Sequence, residues 1–383
     1  MCSSTRPPRG VAHRREGRRA ALTSAIASAA IGGRISTAFG PLIEPVEQRC
    51  LRSASLVGST LTVVGSAGND NYSIVYTAPY VYVYNNGYSE GRFSYAGFSN
   101  VSVDGGDGND TITYGNITKP ATISGGDGSD TITSQSSSAV NISGGAGADT
   151  ITSAGGNDVL DGGAGNDVLN AGAGNDTVYG GDDDDSLVGG AGNDNLDGGL
   201  GNDSVDGGSN LDTMQGGDGD DLLFFGVGND QVYGGAGADT YDCSTTVGSN
   251  SVTVTLDDLA NDTYTGNPDV DNVHSDVEVV RGSAGNDNLT GSANADSLFG
   301  GGGNDSISGA GGDDVIDGQA GNDTLRGGEG NDTITGGEGN DAMYGDAGDD
   351  VLYANDSQTD TVDGGDGLDT AYDDLGNVLF YMS

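Results

Sequence analysis

Residues 189–206 read G-G-A-G-N-D-N-L-D and then G-G-L-G-N-D-S-V-D, two copies of one nine-residue unit. In the same register the unit recurs without a break from Gly144 to Asp242, eleven copies in all. Position six is always aspartate: Asp149, Asp158, Asp167, Asp176, Asp185, Asp194, Asp203, Asp212, Asp221, Asp230 and Asp239. Position eight is Ile151, Leu160, Leu169, Val178, Leu187, Leu196, Val205, Met214, Leu223, Val232 and finally Tyr241. A second array of eight copies runs from Gly282 to Tyr353. Its sixth positions are Asp287, Asp296, Asp305, Asp314, Asp323, Asp332, Asp341 and Asp350, and Asp369 extends the series in G-G-D-G-L-D. Chance does not hold two columns aligned over nineteen copies. The period is therefore the fold signal and the aspartate column the function signal.

Six residues of Gly, Asn and Asp suit neither a helix nor a strand interior, because glycine admits positive φ and tight turns. The remaining three alternate polar, apolar, polar, which is a short strand with one inward side chain. Two units then make one flattened coil with a turn at each edge. Coils stack as parallel strands about 4.8 Å apart, with the position-eight side chains between the two sheets. The predicted fold is all-β: a right-handed parallel β-roll, the hand following from the bias of parallel crossovers.

Stacking also lines up the carboxylates. Like charges about 4.8 Å apart repel by about 1 kcal/mol in water and several-fold more at an effective dielectric of about 20. One buried aliphatic side chain per nine residues is too little to offset the entropy of ordering them. The bare chain is predicted not to fold unless a hard dication sits between turns. Calcium suits carboxylates and backbone carbonyls, with six to eight oxygen ligands. The arrays hold no His, and Cys243 follows the first of them, so zinc and copper are poor candidates.

The unit G-G-x-G-N-D-x-L-x resembles the RTX, or hemolysin-type, calcium-binding repeat, and the resemblance spans roughly Gly105 to Tyr372. It implies a β-roll with calcium ions held by the position-six aspartates above and by backbone carbonyls. Secretion and calcium-triggered folding outside the cell are implied as well. Departures from the pattern at Ser153, Ala171, Asp183, Asn210, Phe225 and the insertion near Ser357 put calcium at those turns in doubt. Single outlying matches make Asp70, Asp110 and Asp130 weaker candidates.

Composition sets bounds. The net charge is −45, with 72 Gly and no Trp in 383 residues. Such a balance describes a disordered chain, which is the expectation for the calcium-free state. The acidity argues against nucleic acid and anionic membranes as partners. No apolar run reaches the roughly 18–20 residues of a membrane span. The three cysteines, Cys2, Cys50 and Cys243, form no framework.

The organisation reads as a basic leader over 1–52 resembling an export signal in outline, a Tyr-rich antiparallel β cap over 53–104, and irregular repeats over 105–143. Then come array one (144–242), an interlude (243–281), array two (282–372), and a terminal cap or secretion signal (373–383). The cap assignment rests on period-two runs such as Tyr80-V-Y-V-Tyr84 and on the Asn85-N-Gly87 hairpin signal. An adhesin reading gives this sheet a cell-surface polysaccharide as partner.

No catalytic residues are assigned, and the chain is not read as an enzyme. Gly87-Y-Ser89-E-Gly91 fits the nucleophile pattern but sits at a hairpin, not at a strand-to-helix elbow. His13 and His274 are the only candidate bases of their type. The expected function is a secreted, extracellular calcium-binding protein with a structural or surface role.

Overall fold

The computed structural model describes residues 54–382, apart from 225, 245–249, 266–269, 355 and 373–377. The expected leader lies outside the described residues.

Each repeat turns where its glycines take positive φ, as at Gly190 (+109°) and Gly192 (+137°), and then extends for three to six residues. Strands of alternate repeats pair in parallel. Leu187 lies beside Leu169 and Val205, and Leu196 beside Val178 and Met214. One coil is therefore two repeats, and odd and even repeats supply opposite faces of a parallel solenoid. The expected β-roll architecture holds.

One face is unbroken. It starts at the strand Asn71–Thr77, passes through Thr111–Tyr114 and the odd repeats of array one, and reaches Thr240–Asp242. It then continues through Val279–Arg281 and Ser297–Gly302 to Leu368–Tyr372. The opposite face has two parts, one running from Thr60–Ala67 to Asn272–Val273 and the other from Val252–Thr255 to Thr361–Asp363. The interlude makes the exchange: Asn272–Val273 pairs back onto Gln231–Ala236, while Val252–Thr255 pairs forward with Asn288–Thr290. Across this join Tyr241, Val280 and Leu298 stay in register on the long face.

The core is one row of side chains from each face. The position-eight residues of both arrays are fully buried, and Val254, Val273 and Val280 continue the rows through the interlude. Period two within a strand and stacking between strands leave no room for a second apolar layer.

The ends are closed by antiparallel strands, which hide open sheet edges. At the N-terminal end Ser55–Val57, Tyr80–Asn85 and Tyr88–Ser94 pair antiparallel, forming the expected cap. Two strands of that segment belong to the solenoid itself, because Thr60–Ala67 and Asn71–Thr77 pair in parallel with Asn100–Asp107 and Thr111–Tyr114. Local alternation marks a strand but not the direction of its partner. At the other end the backbone of Val378–Met382 pairs antiparallel with Leu368–Tyr372.

Candidate metal centre

Within the two arrays every coil places one aspartate just before its long-face strand and one before its opposite-face strand. The carboxylates form hydrogen-bonded ladders. Asp185 N–H donates to Asp203 Oδ1 at 2.8 Å, and Asp203 N–H to Asp221 Oδ1 at 2.7 Å. Before the opposite face, Asp158, Asp176, Asp194, Asp212 and Asp230 are linked in the same way. Array two repeats the pattern through Asp287, Asp305, Asp323 and Asp341, and through Asp296, Asp314, Asp332, Asp350 and Asp369.

The long-face ladder begins earlier than the arrays. Asp70 N–H donates to Asp110 Oδ1, Asp110 to Asp130 and Asp130 to Asp149. Asp239 N–H donates to Glu278 Oε2 at 3.0 Å, so a glutamate fills one rung in the interlude. The G-N-D of residues 68–70 and 108–110 was the signal for the early rungs. Their steps of 40, 20 and 19 residues hid the register.

One oxygen of each carboxylate is thereby used. The other is buried without a hydrogen-bond partner at Asp110, Asp130, Asp149, Asp167, Asp176, Asp185, Asp194, Asp203, Asp212, Asp221 and Asp239. The same holds at Asp305, Asp314, Asp323, Asp332, Asp341, Asp350 and Asp369. Buried polar atoms are almost always satisfied, so a column of bare charged oxygens needs a counter-charge. The space beside each is cradled by backbone. A Cβ built on Gly189 would lie 2.6 Å from Asp194 Oδ2 and 2.7 Å from the carbonyl oxygen of Gly207, one coil on. Carboxylate and carbonyl oxygens thus converge on one small space, which fits a hard, oxygen-seeking cation. Among the described residues no group of three His, Cys, Asp or Glu side chains is placed to hold a metal ion by itself. Backbone carbonyls and water would therefore supply most of such an ion's shell.

Burial, reinforced by neighbouring carboxylates, pushes these groups up: Asp212 to about 8, and Asp185, Asp239, Asp305 and Asp314 to about 7. An acid whose pKa is raised in the fold binds protons more tightly there than in the unfolded chain. The resulting destabilisation is absent below the ordinary value of 3.8 and complete above about 8. In chelator, acidification from pH 8 to pH 5 is expected to increase the β signal in circular dichroism. With calcium present the same change is expected to weaken ion binding, as protons compete. An ion-free fold equally stable at both pH values would contradict this charge accounting.

The RTX calcium-binding nonapeptide repeat model matches residues 94–116, 122–136, 143–178, 170–205, 179–214, 206–241, 281–316 and 317–352, more than half of the chain. The chain belongs to the RTX calcium-binding repeat family. No curated protein matches it.

Within this RTX chain the interlude keeps the ladder going with other residues. Asp230 N–H donates to Asp271 Oδ1 at 2.9 Å, and the Tyr241 hydroxyl to Asp271 Oδ2 at 3.2 Å. Both Asp262 oxygens accept backbone N–H groups, from Thr255 at 2.6 Å and Val273 at 2.8 Å. These carboxylates are satisfied by protein, unlike most of those of the RTX repeats. His274 is held in place as well: Nδ1–H donates to Asp258 at 3.0 Å, Nε2 accepts from Asn272 at 2.9 Å, and the ring stacks on Tyr233. Ser89 lies in a hairpin strand beside Tyr84, not at a strand-to-helix elbow.

Proposed function

We propose that this chain is a secreted calcium-binding β-roll whose aspartate ladders hold calcium ions between successive coils, and that calcium met outside the cell completes its fold. The observation that carries this reading is the row of buried, unpartnered Oδ2 atoms, most of them beside a backbone carbonyl of the next coil, a glycine's at Asp185, Asp194 and Asp203. Oxygen-only donors in an adaptable, glycine-lined turn favour calcium over magnesium, which demands a tight octahedral shell. Individual sites of about 0.1–1 mM affinity suit an extracellular module and leave the chain unfolded in a low-calcium cytosol. RTX repeats are typical of secreted proteins, and no helix among the described residues is long and apolar enough to cross a membrane. Fractionation of producing cells tests this. The chain is expected in the medium, protease-resistant in millimolar calcium and digested in chelator. Retention of folded, resistant protein in a calcium-poor cytosol would overturn it.

A second reading, a polysaccharide-binding face, rests on the outer side of the N-terminal hairpins. There Tyr80, Tyr82 and Tyr84 follow one another at 6.5 Å centroid spacing, with the Arg92 guanidinium 4.9 Å over the Tyr80 ring. A row of rings, Tyr80 edge-on to Tyr82 and Tyr82 stacked on Tyr84, with a cation and hydroxyl neighbours suits a sugar chain. Retention on a glycan array that is lost in Tyr82→Ala would support it. No retention by the intact chain would reject it.

A further inference from the structure

We propose that four turns, those of Asp70, Asp158, Asp287 and Asp296, take no calcium, because a serine in each gives the carboxylate what an ion gives it elsewhere. This rests on the calcium reading above. At these turns Oδ2 is not bare. It accepts the N–H of Ser66 at 2.8 Å at Asp70, and the N–H of Ser283 and of Ser292, each at 2.6 Å, at Asp287 and Asp296. The Ser283 hydroxyl adds a bond to Asp287 Oδ1 at 2.9 Å, and the Ser153 hydroxyl donates to Asp158 Oδ2. No other repeat carries serine at position one or two.

Backbone geometry explains the sorting. At glycine–glycine turns the second residue takes positive φ, as at Gly145 (+120°), Gly199 (+111°) and Gly328 (+118°). Ser66, Ala154, Ser283 and Ser292 hold the same position and are absent from the residues with positive φ. At the three serines among them the N–H turns onto the carboxylate. A non-glycine residue alone does not cause this. Ala310, Gln319 and Asp346 occupy position two with φ of +75°, +70° and +68°, and the Oδ2 atoms of Asp314, Asp323 and Asp350 remain bare. The rest of the cradle is retained at the Ser283 and Ser292 turns: a Cβ on Gly282 would still lie 2.7 Å from Asp287 Oδ2, and one on Gly291 2.6 Å from Asp296 Oδ2. What differs is a donor hydrogen on the oxygen. A dication there would face that hydrogen and break a charge-assisted bond.

The four turns share a place in the fold. Each is the first aspartate of its run. Asp158 Oδ1 accepts from Val140 and Asp287 Oδ1 from Val252, where later rungs accept from an aspartate. Asp296 follows the Glu278 rung, since Ser297 N–H donates to the Glu278 carbonyl. Asp70 Oδ1 accepts from the Asn85 side chain at 3.1 Å. Every run of aspartates therefore starts from a turn that the protein completes without an ion.

The test is an anomalous-scattering map from crystals of the full chain grown in calcium. Ion density is expected along the ladders and missing beside Asp70, Asp158, Asp287 and Asp296. Density beside those four as well would overturn this inference and leave the calcium reading intact. An absence of ion density at every turn would overturn both. In solution, the double variant Ser283→Gly/Ser292→Gly is expected to bind one further calcium per restored turn in equilibrium dialysis. An unchanged count would also overturn it.

Discussion

Asp203→Asn is expected to raise the calcium concentration for half-maximal folding about tenfold, equivalent to about 1.4 kcal/mol, while easing the folding of the calcium-free chain. The two effects have opposite signs because the carboxylate has two roles. Its Oδ1 accepts the Asp185 N–H at 2.8 Å, a bond that an amide oxygen preserves. Its Oδ2 is buried and bare, and an amide NH2 in that place cannot ligate a cation. The same change removes one charge from a column whose members repel by about 1–3 kcal/mol per neighbouring pair over the dielectric range of water to protein surface. Asp203→Ala should be worse than Asn in both conditions, since it also strands a buried N–H at about 1–3 kcal/mol. Asp182 is exposed on a neighbouring turn, so Asp182→Asn removes the same charge without touching the ladder. Calcium titrations in which the Asp203 and Asp182 variants behave alike would remove the ladder from the account.

Gly192→Val is expected to destabilise the calcium-loaded roll by about 3 kcal/mol or more, through backbone strain and steric overlap together. Gly192 has φ of +137°, a region that is nearly closed to a β-branched residue. A Cβ there would fall on the carbonyl oxygen of Gly174, one coil back, so neither turn can stay in place. Asp183 and Asn210 occupy the equivalent position elsewhere, but at φ of +75° and +89°, where a short polar side chain is tolerated. Gly68→Val is the control, since a Cβ at Gly68 meets nothing within 4 Å. Equal thermal midpoints for the two variants in calcium would contradict the close stacking of turns.

Most of this was legible in the chain because the repeat encodes coil, core and ladder in the same nine residues. Leu187 and Leu196 announce opposite faces by their separation of one repeat, and Asp185 and Asp203 announce one ladder by their separation of two. Where the period slips, the reading fails for identifiable reasons. The hairpin strands Tyr80–Asn85 and Tyr88–Ser94, and then the loops at 115–120 and 135–139, lengthen the early coils, so Asp70, Asp110 and Asp130 fall out of step although they stand on the same ladder. Glu278, Asp262 and Asp271 lie in an interlude with no nonapeptide register; the pairing of Val280 between Tyr241 and Leu298 places the first, and the pairing of Asn272–Val273 with Gln231–Ala236 places the other two. The antiparallel reading of 53–104 missed two strands of the first coil, because alternation is blind to the partner strand. The serines at 66, 153, 283 and 292 stood in plain view as departures, but their meaning lies in peptide orientation and hydroxyl contacts, which composition does not carry.

The most direct test is far-UV circular dichroism of the full chain titrated with calcium from chelator to about 10 mM, with magnesium as the control. The account predicts a cooperative gain of β signal with calcium, midpoint between about 0.1 and 1 mM, and little change with magnesium. A chain equally folded with and without chelator would contradict it, since the bare carboxylate column would then need no ion.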